Sequence, residues 1–464
     1  MAVGSSPQRP PGAAPPRVAD PPARRWTLLW AGLLALVLLP FAWGHRYDWR
    51  TAKGLEPEWI ARTLAHGHGF SFRGDQRWLL PPADRNTYSP TAWQEPVNPL
   101  LLGAAFRIGG ASYYGKLLAV ALQTLVLFAT SVLLYLFGRR LFDEWTGRLA
   151  SLMLLVQPHV HYLVFGTFMT ATLAGFAVLV IAAAFVRCLV GVTPARALGT
   201  GAAVGGAMLT SAATAAFFPI GLVLALRGGG GGRLAWGKAA LYVLGMGLVL
   251  SPWVVRNYLV FGGFVPTRSG IGQIVYVGNP VLAETFVPGL RACPSSPGPW
   301  WTARSATEAV LHARDEEVWR GSLGNKGYDC IEELNPPGFV GMNEVQRDRT
   351  YLREAVAFIK DHPALTARLT GAKAVAYFFT GWPIYLKLIT AAAGVGLFLA
   401  RKRPAALILA AMIALYAIPY VISLPYHFRY RYPIEPLLVL LAGFCAVTAA
   451  RWALTLRRRP AGTL

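Results

Sequence analysis

SPWVVRNYLVFGGFVPTRSGIGQIVYVGNP, residues Ser251–Pro280, is the stretch on which the fold turns. An apolar run, Leu234–Val254, ends in it at Pro252-Trp253, and Arg256-Asn257-Tyr258 come next. An aromatic at the interface, then an Arg that reaches headgroup phosphates, is how a membrane helix surfaces. Gly262, Gly263, Pro266, Gly270 and Gly272 then hold the chain in turns instead of letting a new helix begin. The chain before this stretch is hydrophobic scaffold, and the chain after it is polar as far as about Pro363. The stretch therefore predicts a membrane span opening into an outer loop.

The rest of the chain agrees. Of 464 residues, 54% are apolar and 14% charged, and mean hydropathy is +0.42; soluble domains average about a quarter charged. Several apolar runs approach the ~20 residues that span a bilayer. The sequence is that of an all-α, multi-pass integral membrane protein. Its net charge of +22 does not point to nucleic acid. The basic residues cluster at the ends of apolar runs, as the positive-inside rule expects, and a chain buried in lipid offers no face to a duplex.

Residues 1–25 are rich in Pro, Ala and Arg and read as a disordered cytoplasmic tail. Trp26–Gly44 is long enough to be a signal anchor retained in the membrane. Arg9, Arg17, Arg24 and Arg25 precede it and predict a cytoplasmic N-terminus. His45–Pro96 is then the first outer loop, with six acids: Asp48, Glu56, Glu58, Asp75, Asp84 and Glu95. Val97–Gly110 is apolar but interrupted by Pro99 and Arg107, and reads as a short or re-entrant helix.

Spans are expected near Tyr114–Phe137, Trp145–Phe165 and Phe168–Val190. Ala197–Leu226 is too long for one ordinary span and suggests two short helices that turn near Ser211. Leu234–Val254 returns outward. The second outer loop, residues 255–363, carries twelve of the 22 acids. Ala364–Thr380 holds Arg368 and Lys373 along an apolar stretch and suits the interface. Trp382–Ala400, Ala405–Ser423 and Pro433–Trp452 complete the membrane part, and a basic tail, 457–464, ends inside. The expected layout is an N-terminal membrane module (26–254), a second outer loop (255–363) and a C-terminal membrane module (364–456). In all, that is about ten spans plus the short helix, with both termini cytoplasmic.

Cys188 and Cys445 lie in or near apolar runs. Cys293 and Cys330 share the second outer loop and could form one disulfide if that loop faces an oxidising compartment. No spacing suggests a zinc site.

Three polar clusters fall on one side of the membrane. The first is Glu56-Pro57-Glu58-Trp59, leading into IARTLAHGHGF (Ile60–Phe70). The second is Arg256-Asn257 with Thr267-Arg268-Ser269. The third is His427, Arg429, Tyr430 and Arg431. Each has a plainer reading. Arg256 could anchor at headgroups, the late arginines could cap a helix or bind phospholipid, and Glu56 and Glu58 could be solvated loop acids. Their convergence at segment ends favours a shared chemistry. A carboxylate takes a proton from an attacking hydroxyl, and guanidinium groups hold a phosphate and the charge that builds on it.

At these residues the chain resembles the bacterial GT-C glycosyltransferases that use polyprenyl-phosphate sugars, relatives of protein O-mannosyltransferases and of the lipid A aminoarabinose transferase. The matching features are Glu56 before Ile60–Phe70; TAWQEPVNPLLL (Thr91–Leu102); RRLF (Arg139–Phe142); PWVVRNYLVFGGFVP (Pro252–Pro266) with Gly278-Asn279; and RYRYPIEP (Arg429–Pro436). Two positions depart from the family pattern: Thr170-Ala171 stands where Thr-Glu is common, and Ser211 follows Leu209-Thr210 where Arg or Lys is common.

The resemblance implies the GT-C fold with two large outer loops and a catalytic acid in the first. It also implies inverting transfer from a lipid-linked donor to a hydroxyl of a lipid, glycan or protein, on the outer face of a bacterial inner membrane. Glu56 best matches that acid, with Glu58 in reserve. Arg256, Asn257, Arg268, Gln273, Asn279, His427, Arg429, Tyr430 and Arg431 are the binding candidates. No cofactor or metal ligand set is called for, and a divalent metal is left open. The alternatives are a transporter or flippase of lipid-linked sugars, which would favour ionisable residues at mid-membrane and inverted repeats, and an inactive homologue.

Overall fold

The computed structural model describes residues 56–73, 87–168, 170–227, 232–281, 342–379, 383–423 and 428–457. The expected first span, both tails, most of the second outer loop with Cys293 and Cys330, and His427 lie outside the described residues.

The described chain is almost entirely helical. Helix α1, Glu56–Ala65, places two acids in its first turn, where the helix dipole favours them, and buries Ile60, Ala61 and Ala65. Strands β1 (Ser71–Arg73) and β2 (Tyr88–Pro90) pair antiparallel with Phe72 opposite Ser89. This small ribbon is not evident from the sequence. Its three-residue strands give no alternation to read, and it closes through Phe72 on Trp59 and His68 on Tyr88.

Next in the chain are α2, Val97–Gly109; α3, Tyr113–Leu141; α4, Glu144–Leu155; and α5, Pro158–His161, which runs into a π turn at Tyr162–Gly166. Then come α6, Ala171–Leu189; α7, Pro194–Met208; a 3₁₀ turn, Ala212–Phe217, leading to α8, Phe218–Arg227; and α9, Arg233–Phe261. Next are α10, Ile271–Tyr276, and α11, Glu344–Asp361. The chain then forms α12, Pro363–Phe378; α13, Ile384–Ala400; α14, Pro404–Ile422; the single turn α15, Phe428–Arg431; and α16, Glu435–Arg457.

Among the described residues five helices are long and apolar enough to cross a membrane, six if α4 and α5 with its π turn count as one span bent by 59°. Pro158 at the break explains the bend. The chain is thus a multi-pass membrane protein. Helix α2, at 13 residues, is the short apolar helix expected, and the turn at Ser211 separates α7 from α8 as expected.

One boundary differs. The span before the second outer loop does not end at Pro252 but continues to Phe261. Proline inside a helix strips one carbonyl, that of Leu248, of its N–H partner. The Ser251 hydroxyl donates to that same carbonyl at 3.0 Å, and the helix survives. It ends at Gly262, in the left-handed region (φ 64°). Arg256 and Asn257 therefore sit on the last turns of the helix and not in the loop after it.

Two long-range clamps tie α11, the 267–281 segment and the end of α14 together. Glu344, the first residue of α11, accepts from the Thr91 hydroxyl (2.6 Å), the Ala92 N–H (3.0 Å) and the Ser269 hydroxyl. Lys373 on α12 is fully buried, its ammonium within reach of the Gly278 carbonyl (2.8 Å), the Ile422 carbonyl (2.9 Å), the Ser423 carbonyl (3.2 Å) and Asn279 Oδ1 (3.3 Å). Lys373 thereby ties the turn after α10 to the C-terminal end of α14.

Candidate active site

The segment Thr91–Asn98 forms the floor of a pocket, and its backbone shows why it stays there. Val97 donates its N–H to Leu209 O (3.2 Å), and the Asn98 side chain donates to Phe168 O (2.9 Å). Ser269 donates its N–H to Ala92 O (2.7 Å). These bonds draw Phe168 and the corners at 209–212 and 267–270 around the same spot. Gly270 closes the last corner. It adopts φ +80°, and a Cβ there would lie 2.4 Å from the Trp93 ring, so only glycine lets the loop lie on Trp93.

The pocket these corners enclose has about 660 Å³ of empty space, mouth included. Its charged lining residues are Glu56, Glu95, Arg268 and Arg429. The two family departures, Thr170-Ala171 and Thr210-Ser211, are in its wall, as are Tyr416, Tyr420 and Tyr430.

Glu56 is 7% exposed, and no donor among the described residues reaches its Oε2. Glu56 itself lines the pocket, and a buried carboxylate oxygen without a donor is costly unless something arrives to use it. Glu58 is different. Its Oε1 takes Arg62 Nη2 at 2.6 Å and Nε at 3.1 Å, one helical turn away, and it is not among the lining residues. The two acids, two positions apart on α1, face different surroundings.

Arg268 is set over the Trp93 ring (5.4 Å), its Nε donating to Ser269 O (3.1 Å). Arg429 lies over the Tyr430 ring (4.8 Å) and donates to its hydroxyl (2.8 Å). Tyr430 stacks in turn on Tyr420 (4.9 Å, 22°) and Tyr420 on Tyr377 (5.9 Å, 11°). A column of three tyrosines thus braces Arg429 at the pocket.

The other binding candidates lie elsewhere. Arg431 is 1% exposed and points into the bundle. It donates to Phe378 O (3.0 Å), Leu386 O (3.1 Å) and the Thr390 hydroxyl (2.8 Å) and pairs with Glu435 at 3.3 Å. Arg256 is a pin: it donates to Thr91 O (2.7 Å), Phe70 O (2.9 Å) and Asn257 Oδ1 (2.9 Å), among the rings of Phe70, Trp253 and Phe261. Asn257 holds Val265 O (3.0 Å), and Asn279 holds Val275 O and Ile422 O.

The side chain of Gln273 is buried beside the pocket residue Ile274, and its N–H goes to Asp348 Oδ1 (3.0 Å). Burial raises the Asp348 pKa, against the pull of the Gln273 and Gly272 amides and of Arg268. These residues shape the frame around the pocket.

Glu95 escapes the sequence reading as a site residue. Its Oε1 takes the Ala212 N–H (2.8 Å), and its Oε2 lies 4.0 Å from Arg268 Nη1. Both contacts bridge more than 100 residues of sequence and leave no local pattern. Among the described residues no group of three or more His, Cys, Asp or Glu is placed to hold a metal ion.

No protein-family model and no curated protein matches the sequence. Solved structures match in shape. The apo oligosaccharyltransferase of Archaeoglobus fulgidus aligns with a TM-score of 0.52 at 15% identity, over 94% of this chain and 52% of its own. The oligosaccharyltransferase AglB of the same organism, in complex with an inhibitory peptide and a dolichol-phosphate, aligns at 0.50 and 14%, over 95% and 53%. ArnT from Cupriavidus metallidurans, bound to undecaprenyl phosphate, reaches 0.46 at 15%, over 94% and 63%. The chain spans about half the length of the oligosaccharyltransferases it matches. At such identity the likeness is one of fold: the chain shares the fold of these oligosaccharyltransferases.

Proposed function

We propose that this chain is a membrane glycosyltransferase. It moves a sugar from a polyprenyl-phosphate donor to an acceptor hydroxyl on the outer face of a bacterial inner membrane, with inversion at the anomeric carbon. Glu56 is the general base. The acceptor oxygen attacks the anomeric carbon as its proton passes to Glu56, and the bond to the phosphate oxygen breaks with its electrons going to the phosphate. Arg268 and Arg429 hold that phosphate and the charge it gains. The aromatic wall of Tyr416, Tyr420 and Tyr430 suits a sugar ring and the first isoprene units. Two membrane modules, 26–254 and 364–456, with about ten spans in all, carry the outer segments 45–96 and 255–363, and both termini are cytoplasmic.

The observation that carries this reading is the meeting, in one pocket, of Glu56, whose buried Oε2 meets no donor among the described residues, and two guanidinium groups from distant parts of the chain. Support for the donor comes from the fold's company: AglB was solved with a dolichol-phosphate. The departures at Thr170-Ala171 and Ser211 lie in the pocket wall, where they would alter the acceptor. The transporter reading would draw on ionisable residues inside the bundle, but Arg431 and Glu435 there are paired with each other.

The test is transfer from synthetic undecaprenyl-phosphate hexoses and pentoses in proteoliposomes. Glu56→Gln keeps the shape and should lower the rate by roughly 10²–10⁴, the usual span for loss of a general base. Glu58→Gln should stay near wild type. A folded Glu56→Gln enzyme with the wild-type rate would falsify the assignment.

A further inference from the structure

The pocket holds a second carboxylate that the transfer step does not use. Glu95 is 6% exposed, and its two oxygens have separate tasks. One is bound to the Ala212 N–H at 2.8 Å, and the other stands 4.0 Å from Arg268 Nη1. That separation makes Glu95 an ionic neighbour of Arg268 without a hydrogen bond between them. Arg268 is oriented by other means, the Trp93 ring and the Ser269 carbonyl. Glu95 is therefore not needed to aim the guanidinium, and its main effect there is its charge. The charged lining residues are two carboxylates and two guanidiniums, which sum to zero.

Transfer changes the charge of what sits in this pocket. The donor is a phosphodiester with one negative charge. When the anomeric C–O bond breaks, its electron pair stays on the phosphate oxygen, and the product is a phosphomonoester carrying about −1.5 to −2 at neutral pH. Arginines alone would hold that product more tightly than the donor, because attraction grows with charge in a partly buried site. An enzyme built so would stall on its own lipid product. Resting on the lipid-phosphate reading of the pocket, we propose that Glu95 is the residue that lets the product go. Once Glu56 has given up the acceptor's proton and the lining again sums to zero, the fixed negative charge of Glu95 beside Arg268 cancels what the second phosphate charge would gain, so the spent polyprenyl phosphate leaves as readily as the donor arrives.

Two probes differing only in that charge test this: undecaprenyl phosphate and its methyl ester, bound near neutral pH to the full chain in nanodiscs. Wild type should bind the two within about threefold of each other, and Glu95→Gln, which keeps an oxygen for Ala212 N–H, should tighten the monoester roughly tenfold with little change for the methyl ester. A Gln variant that weakens both probes alike, or leaves their ratio unchanged, overturns the role. The wild-type measurement decides on its own if the variant does not fold: a monoester bound tenfold or more tighter than the methyl ester overturns it as well. Arg268→Ala separates the two layers. If it leaves both affinities unchanged, the phosphate site itself is wrong and Glu95 falls with it. If it loosens both while Glu95→Gln leaves the ratio intact, only the release role is lost.

Discussion

Residues two apart on a helix point about 200° apart around its axis, and that separates Arg429 from Arg431. In RYRYPIEP both read as phosphate ligands. One lines the pocket and the other is sealed in the bundle against Glu435. The cue is legible: Glu435 stands four positions after Arg431, the spacing of a helical ion pair. Removing one partner of a buried pair leaves the other charge stranded, at a cost of about 3–5 kcal/mol. Arg431→Ala should therefore lower the melting temperature in detergent steeply, whereas Arg429→Ala should melt near wild type but bind undecaprenyl phosphate at least roughly tenfold more weakly. If Arg429→Ala costs as much stability as Arg431→Ala, then Arg429 is a structural residue too. Glu56 is legible because it opens an amphipathic helix in a recognisable motif. Glu95 is not, because its partners Ala212 and Arg268 are brought to it only by the folded chain.

At the scale of elements, membrane helices are easily read and the outer ones poorly. A run of apolar residues announces a span from its own composition. Helix α11 announces itself by its cap, Asn343 with Gln346 in a reciprocal capping box, but not by where it docks. It docks on α10 through Asp348, which accepts the Gln273 N–H in the first turn of that helix. Burial raises the pKa of Asp348. With the folded value above the unfolded one, the folded state holds its proton more firmly. The group's contribution is thus full below the unfolded pKa, near 3.9, and is lost as pH rises through the raised value. Asp348→Asn keeps an oxygen for Gln273 and carries no charge to desolvate. Its melting temperature should gain on wild type as pH rises from about 4 to 7, with the two converging at the acid end. A wild type that gains on the variant over that range would show that Arg268 and the amides outweigh burial at Asp348.

For the whole molecule, the question is which way the pocket faces. Helix α14 runs from Pro404 to Ile422, about 28 Å at 1.5 Å per residue, close to the hydrocarbon thickness of a bilayer. Near its C-terminal end Tyr420 lines the pocket. At its other end Arg403 donates to Leu141 O (2.9 Å) and covers the rings of Phe142 and Phe444. Arg451 pairs there with Asp143 (3.1 Å), and Arg139 and Arg148 with Glu144 (3.0 Å each). The cations gather at the end away from the pocket, and basic residues stay on the cytoplasmic side of short loops. The sequence alone suggests this sidedness, but it takes the folded bundle to bring the α3–α4 corner, the α13–α14 turn and the end of α16 to one level. In a chain with its four native cysteines replaced, Tyr88→Cys, on the ribbon that leads into the pocket floor, should react with a membrane-impermeant maleimide in intact cells. Lys402→Cys should react only after the cells are opened. The reverse pattern would put the pocket in the cytoplasm, facing soluble nucleotide sugars, and a lipid-linked donor would lose its physical rationale.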